Sequence, residues 1–188
     1  MLGSPHAPNR YRGPPMTTLE EMTMIRRARA SDIIEVATLY HSVWHETQAP
    51  FMPPAEIAHR SLAFFIHRMK ALLGPTLVTE QNGTIAAFSA WRGDRLGQFF
   101  VAIGHRGTGI APNLLTATEL EMAKEGTAEA ELHCVVGNER ARRFYERMGW
   151  ASQGKIMEWV AGEHTQIEVP FWRIMKVLSK WRAARAIR

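Results

Sequence analysis

Arg106-Gly107-Thr108-Gly109-Ile110-Ala111 is a stretch suited to gripping an anion. Gly107 and Gly109 carry no Cβ and tolerate positive φ, so the main chain there can come close to a phosphate. Successive amides in such a turn form a nest of N–H donors. Pro112 suits the first turn of a following helix, and the N-terminus of that helix adds partial positive charge. Arg106 offers a fork of donors to phosphate oxygens. The chemistry implied is capture of a pyrophosphate, although a tight strand-to-helix connection uses the same residues. No GxxxxGK[ST] is present, which excludes a P-loop NTPase, and the third glycine of a dinucleotide fingerprint is missing.

A second stretch runs from Asn138 to Trp150. Asn138 is a preferred N-cap residue for a helix opened by Glu139, and Gly149 is a natural stop. Between them Ala141, Phe144, Tyr145 and Met148 recur at helical spacing and make one apolar stripe. Asn138 and Tyr145 are seven residues apart, about two turns, so both can line one cleft. Tyr145 reads equally as a core aromatic with its hydroxyl at the edge.

In these two stretches the chain resembles the GNAT superfamily of N-acetyltransferases. The family's loop pattern, Gln/Arg-x-x-Gly-x-Gly/Ala, is met by Arg106, Gly109 and Ala111. Its second signature, Asn-x-x-Ala-x-x-Phe-Tyr-x-x-x-Gly-Phe, is met by Asn138, Ala141, Phe144, Tyr145 and Gly149, with Trp150 replacing the last aromatic. Val101 fits the end of the family's fourth strand. The resemblance covers Met24 to Lys176 in outline and is specific from Leu96 to Trp150.

The resemblance implies an α/β (α+β) fold. Its central mixed sheet is mostly antiparallel, with six or seven strands, flanked by about four helices and splayed between the fourth and fifth strands. It also implies direct transfer from acetyl-CoA, leaving CoA, to an amine of a small molecule or peptide within a ternary complex. Arg106, Gly107, Thr108, Gly109, Ile110 and Ala111 would hold the pyrophosphate. Phe99, Phe100 and Val101 would pair their backbone with pantetheine, and a free N–H in the gap would polarise the thioester carbonyl. Asn138 would sit beside the pantetheine arm, and Phe144 would pack on the cofactor or the sheet. Tyr145 would contact the cofactor and act as general acid toward the departing thiolate. Arg142 and Arg143 read either as contacts to the adenosine phosphates or as a solvated helix face.

The family often places a carboxylate base on the fourth strand, and none lies between Leu96 and Val101. Glu131 and His133 share one face of the next strand by two-residue alternation; His45 and Glu46 are the other candidates, and no base is assigned. The acceptor pocket is expected from the Trp44–Pro54 loop, the second helix and the last hairpin. Trp44, Phe51 and Met52 would supply its apolar part, and Glu46 a partner for a cationic amine. Two competing functions are acylation of aminoacyl-tRNA or ribosomal protein, and a non-catalytic CoA-binding sensor. The acceptor, the acyl length and the oligomeric state stay open, and a homodimer is compatible with the sequence.

The 188 residues suit one domain, and 46% hydrophobic with 22% charged residues is ordinary for a globular chain. There is no apolar run of bilayer length and no signal segment at the N-terminus. Cys134 is the only cysteine, which excludes an internal disulfide and suggests a reducing, cytoplasmic setting. As a strand residue it reads as a small buried hydrophobe. The histidines lack the spacing of a zinc site, so no metal is expected. Residues 1–22 read as a flexible leader, 23–177 as the acetyltransferase domain, and 178–188 as a basic tail. The net charge is +5; Lys176, Lys180, Arg182, Arg185 and Arg188 have no acidic neighbour in sequence. Leu178, Trp181 and Ala184 fall on one face of a short helix. A solvated or packing end is favoured there over contact with RNA, anionic lipid or a partner, since no nucleic-acid motif supports one.

These motifs need elements to place them. Ile25–Ala28 reads as a first strand, followed by a helix from Ile33 with Ser31 and Asp32 as candidate caps. Val43 and Trp44 end that helix or open the next loop. The pattern breaks from His45 to Pro54, and a second helix covers Ile57–Leu73. Thr76–Glu80 and Ile85–Trp91 pair around Asn82-Gly83, a hairpin signal. Further strands are Leu96–Val101, Ala130–Val136, Ser152–Val160 and Val169–Val177, with Gly162-Glu163 in the last turn.

Overall fold

The computed structural model describes residues 23–161 and 166–178. The leader, the Gly162-Glu163 turn and the tail positions Trp181 and Ala184 fall outside the described residues. Seven strands form one sheet: β1 (Thr23–Arg27), β2 (Thr76–Gln81), β3 (Thr84–Arg92), β4 (Arg95–Val101), β5 (Glu129–Val135), β6 (Ala151–Ala161) and β7 (Gln166–Val177). Their order is β1-β2-β3-β4-β5-β7-β6. Every neighbouring pair is antiparallel except β4 and β5, which run parallel. Those two strands share a single register pair, Arg95 with Glu131, so the sheet splays where the resemblance placed the split. The β2–β3 turn forms because Asn82 and Gly83 both take positive φ, 52° and 79°, as a type I′ turn requires.

Five α-helices cover the sheet: α1 (Ile33–Thr47), α2 (Pro54–His59), α3 (Leu62–Leu72), α4 (Ile110–Lys124) and α5 (Glu139–Arg147). On one face, α1 and α3 bury Val36, Tyr40, Val43, Trp44, Phe65 and Met69 against Val78, Phe88, Phe100 and Val135. On the other, α4 and α5 bury Leu114, Leu115, Met122 and Tyr145 against Trp91, Leu96, Leu132, Cys134 and Ile174. Alternation along β4 and β5 therefore sends Phe100 and Val135 to one side and Cys134 to the other.

Three local expectations change. The predicted helix over 57–73 is two helices, broken at Arg60 and Ser61. Ser61 caps α3 by accepting a hydrogen bond from the Phe64 N–H at 3.3 Å, and the His45 Nε2–H holds the Arg60 carbonyl at 2.9 Å. Asp32 does not cap α1; its carboxylate accepts from the Arg26 guanidinium at 2.6 and 3.1 Å and from the Arg29 N–H at 2.7 Å. That guanidinium bond holds the Asp32 carboxyl below its ordinary value against the opposing push of burial. Lys176 is not part of a free basic run. Its ammonium donates to both oxygens of Glu119 at 2.8 and 2.7 Å and to the Met148 carbonyl at 2.7 Å. Leu178, read as the start of the tail, is fully buried and its N–H bonds the Ala128 carbonyl at 2.8 Å.

Candidate active site

The site is assembled where the sheet splits. After β4 the chain makes a single 3-10 turn, Ile103–His105, and enters the glycine loop. Gly107 and Gly109 have φ of 78° and 87°, a left-handed backbone that a side chain would strain, and a Cβ on either would meet nothing within 4 Å. Gly109 is also the N-cap of α4, while Ile110 turns into the core at 3% exposure. Thr108 is tied back, its hydroxyl donating to the His105 carbonyl at 2.8 Å. On the other flank Asn138 caps α5: its Oδ1 accepts the Ala141 N–H at 3.2 Å, and its Nδ2 donates to the Thr47 carbonyl at 3.3 Å. One side chain thus joins α5 to the end of α1.

Between these flanks lies a cleft of about 280 Å³. Of the residues expected to meet a cofactor, Phe99, Phe100, Val101, Arg106, Gly107, Ala111, Asn138, Phe144 and Tyr145 line it. Thr108, Gly109 and Ile110 do not. The remaining lining includes Val43, Thr47 and Gln48 from the end of α1, His133 and Val135 from β5, and Arg140 and Arg147 from α5. Because the lining joins both faces of the sheet, the cleft passes through the sheet. Alternation along β5 carried the signal for His133. Thr47 and Gln48 fall within the Trp44–Pro54 segment expected to help build the acceptor pocket, but they are the last residue and C-cap of α1 rather than part of an irregular loop.

Several candidates have other work. Arg142 pairs with Glu139 and Glu146 at 2.8 and 2.9 Å and lies over the Trp172 ring, while Arg143 is exposed away from the cleft. Trp44 and Met52 are core residues. Phe51 is 40% exposed and lies over Gly137, where an added Cβ would come within 2.5 Å of its ring. Gly137 has a φ of 106°. Gly137→Ala is expected to lower stability by about 1–2 kcal/mol from backbone strain alone and to push Phe51 outward. A urea melt and the fluorescence quenching of a Phe51→Trp probe check both parts.

Arg106 and Glu46 are bound to each other by two parallel bonds of 2.6 and 2.7 Å. The guanidinium bond outweighs burial and holds the Glu46 carboxyl below its ordinary value. The loop cation is therefore already satisfied by a carboxylate from α1, which any anion drawn to Arg106 would have to displace. Glu46→Gln is expected to tighten CoA binding by up to about 5-fold, the usual scale of a surface pair, as titration calorimetry would show. An unchanged dissociation constant would mean that Arg106 does not meet the phosphates.

The titrating groups at the cleft have distinct environments. Burial raises the Tyr145 hydroxyl well above its ordinary value, so it keeps its proton at any working pH. Burial likewise pushes the Cys134 thiol up to about 12, which removes it as a thiolate nucleophile. Among the described residues, no group of three or more His, Cys, Asp or Glu is arranged to hold a metal ion. No described helix is long and apolar enough to cross a membrane.

The sequence matches the acetyltransferase (GNAT) family over residues 36–150, a span that holds both flanks of the cleft. The chain belongs to the GNAT acetyltransferase family. With membership come its enzyme class and donor: the chain is an acetyl-CoA-dependent acyltransferase. No curated protein matches it in sequence. Its fold is similar to that of an N-acetyltransferase from Rhodopseudomonas palustris, with a TM-score of 0.66 and 16% identity over 82% of this chain and 94% of that one. It is similar to the PaiA N-acetyltransferase of Thermoplasma acidophilum, in complex with coenzyme A, with a TM-score of 0.58 and 18% identity over 83% and 99%. Diaminobutyrate acetyltransferase of Paenibacillus lautus, in complex with 2,4-diaminobutyric acid and coenzyme A, gives 0.60 and 18% over 84% and 96%. The GNAT match ends at Trp150, so the β6–β7 hairpin lies beyond it. The family's strand carboxylate has no counterpart on β4 between Leu96 and Val101.

Proposed function

We propose that this GNAT enzyme transfers the acetyl group of acetyl-CoA to a primary amine of a small molecule or peptide, by direct attack inside the split between β4 and β5. The observation that carries this reading is Tyr145: it lines the cleft, burial keeps its hydroxyl protonated, and it has no hydrogen bond to a described residue. It shares that cleft with an open anion-gripping loop and an unpaired strand edge. The residues fit CoA. Gly107 and Gly109 supply the positive-φ turn that a nest of amides needs, Arg106 and Arg140 supply cations to the cleft, and the β4 edge over Phe99–Val101 offers backbone groups to an extended arm. When bound, acetyl-CoA supplies an activated acyl carbon with a thiol leaving group. Asn138 fixes the floor of the cleft, Phe99 and Phe144 stack on each other with centroids 5.7 Å apart and exclude water, and Tyr145 delivers a proton at its hydroxyl. The structurally similar Paenibacillus enzyme, which carries a diamino acid, supports an amine acceptor.

The test is thiol release from acetyl-CoA with a panel of primary amines and N-terminal peptides. Release that depends on an acceptor is expected. CoA binding with no release from any acceptor would leave the chain a CoA-binding sensor and overturn the proposal.

A further inference from the structure

We propose that His133 is the base that takes the proton of the acceptor amine, a reading that rests on the transferase function above. His133 is the one residue of a five-membered charged cluster that lines the cleft. Its Nδ1 lies 2.5 Å from Glu158 Oε1 and 2.6 Å from Arg95 Nη2, and its Nε2 lies 2.6 Å from Glu131 Oε1. Arg95 also bonds Glu158 at 2.6 Å, and Arg173 Nε donates to the second oxygen of Glu131 at 2.6 Å. These groups come from β4, β5, β6 and β7; α1 brings Val43, Thr47 and Gln48 to the cleft, none of which titrates, and the glycine loop and α5 bring the cations Arg106, Arg140 and Arg147.

The charges that surround the imidazole balance. Two carboxylates and two guanidiniums cancel, so a proton on His133 adds one positive charge between two carboxylates within hydrogen-bond reach. Burial works against ionisation of both Glu131 and Glu158, but bonds from Arg173, His133 and Arg95 prevail and hold both carboxyls below their ordinary values. They therefore stay anionic on either side of the ring. Glu131 keeps Arg173 as a partner through its other oxygen, so it can release Nε2 to an incoming amine without being stranded.

The alternatives fall away on geometry. Glu46 is locked to Arg106, the His45 Nε2–H is given to the Arg60 carbonyl, and Cys134 and Tyr145 hold their protons. His133 and Tyr145 stand on opposite faces of the split sheet. In the step proposed, the N–H bond of the acceptor ammonium breaks with its electron pair left on nitrogen. The proton joins the imidazole lone pair, and the freed amine forms its bond to the acyl carbon; as the C–S bond breaks Tyr145 gives its proton to the sulfur, and the second proton of the new amide nitrogen returns to the Tyr145 oxygen through solvent.

The experiment compares wild type, His133→Gln and Glu158→Gln, using the primary amine of the panel that wild type turns over fastest. At pH 7, His133→Gln is expected to lose on the order of 10²-fold in kcat/KM or more, the range of general-base effects. The deficit should shrink as the pH approaches the pKa of the free amine, about 10, because solvent then supplies the deprotonated acceptor. CoA affinity and the urea midpoint of His133→Gln should match wild type. Glu158→Gln, which only positions and polarises the ring, should move the acidic limb of the profile with a smaller loss. A second readout needs no turnover: in the complex with CoA, the His133 imidazole ¹⁵N resonances should shift when the amine is added. A loss in His133→Gln that is equal at every pH, or resonances that do not move, would overturn the assignment. If wild type binds CoA but acetylates no amine, the transferase reading fails first and takes the assignment with it.

Discussion

Tyr145→Phe is expected to slow acetyl-CoA turnover by about 10²–10⁴-fold, the range for loss of a positioned proton donor, while folding and CoA binding stay near wild type. The change removes one oxygen that bonds to no described residue, so no buried partner is left unsatisfied. The ring remains and keeps its packing on Phe99, Phe144 and Trp150. What is lost is the proton at the leaving sulfur. Because burial holds the hydroxyl protonated throughout the working range, the deficit should be flat from about pH 6 to 9, in contrast to the His133→Gln deficit, which closes as pH rises. Stopped-flow thiol release over that range distinguishes the two. A variant within threefold of wild type would leave Tyr145 a packing residue only.

The largest stability effect is expected at Lys176. Glu119 is 2% exposed in α4 and receives the Lys176 ammonium on both oxygens, with the Trp150 indole N–H at 2.7 Å as its other donor. Lys176→Met strands that carboxylate and should cost about 3–5 kcal/mol, the scale for breaking a buried pair from one side. It also removes the donor to the Met148 carbonyl, at the end of α5 beside the cleft. Urea denaturation measures the loss. Adding Glu119→Gln to Lys176→Met should recover much of it, because the uncompensated charge goes, whereas a midpoint unmoved by Lys176→Met would show the pair to be energetically idle.

Lys176 and Asn138 mark the boundary of what sequence could show. The Asn138 cap, the Asn82-Gly83 turn and the stripe of Ala141, Phe144 and Tyr145 are local: partner and signal lie within four residues. The same holds for the two glycines of the loop, whose backbone freedom is a property of the residue itself. Ser61 was equally local, but an apolar periodicity that ran across it hid the break between α2 and α3. The pairs that set charge at the site are of another kind. Glu46 meets Arg106 across 60 residues, Glu119 meets Lys176 across 57, and His133 meets Glu158 across 25. No composition or spacing announces such pairs, because they exist only once β4, β5 and β7 lie side by side. Glu46 read as a partner for a cationic acceptor for this reason; its actual partner is the cation of the phosphate loop.

The single ladder pair between β4 and β5 has a consequence for the protein outside catalysis. Sheets ordinarily confine their unpaired N–H and C=O groups to the periphery, where charge, proline or short length discourages other chains from adding on. Here two strand edges, unpaired beyond Arg95 and Glu131, face each other in the middle of the sheet. An extended segment of another chain finds there the same hydrogen-bonding template that the pantetheine arm would use. A ligand that filled the slot would cover both edges, so CoA in a purification buffer is expected to slow aggregation, as light scattering with and without it would show.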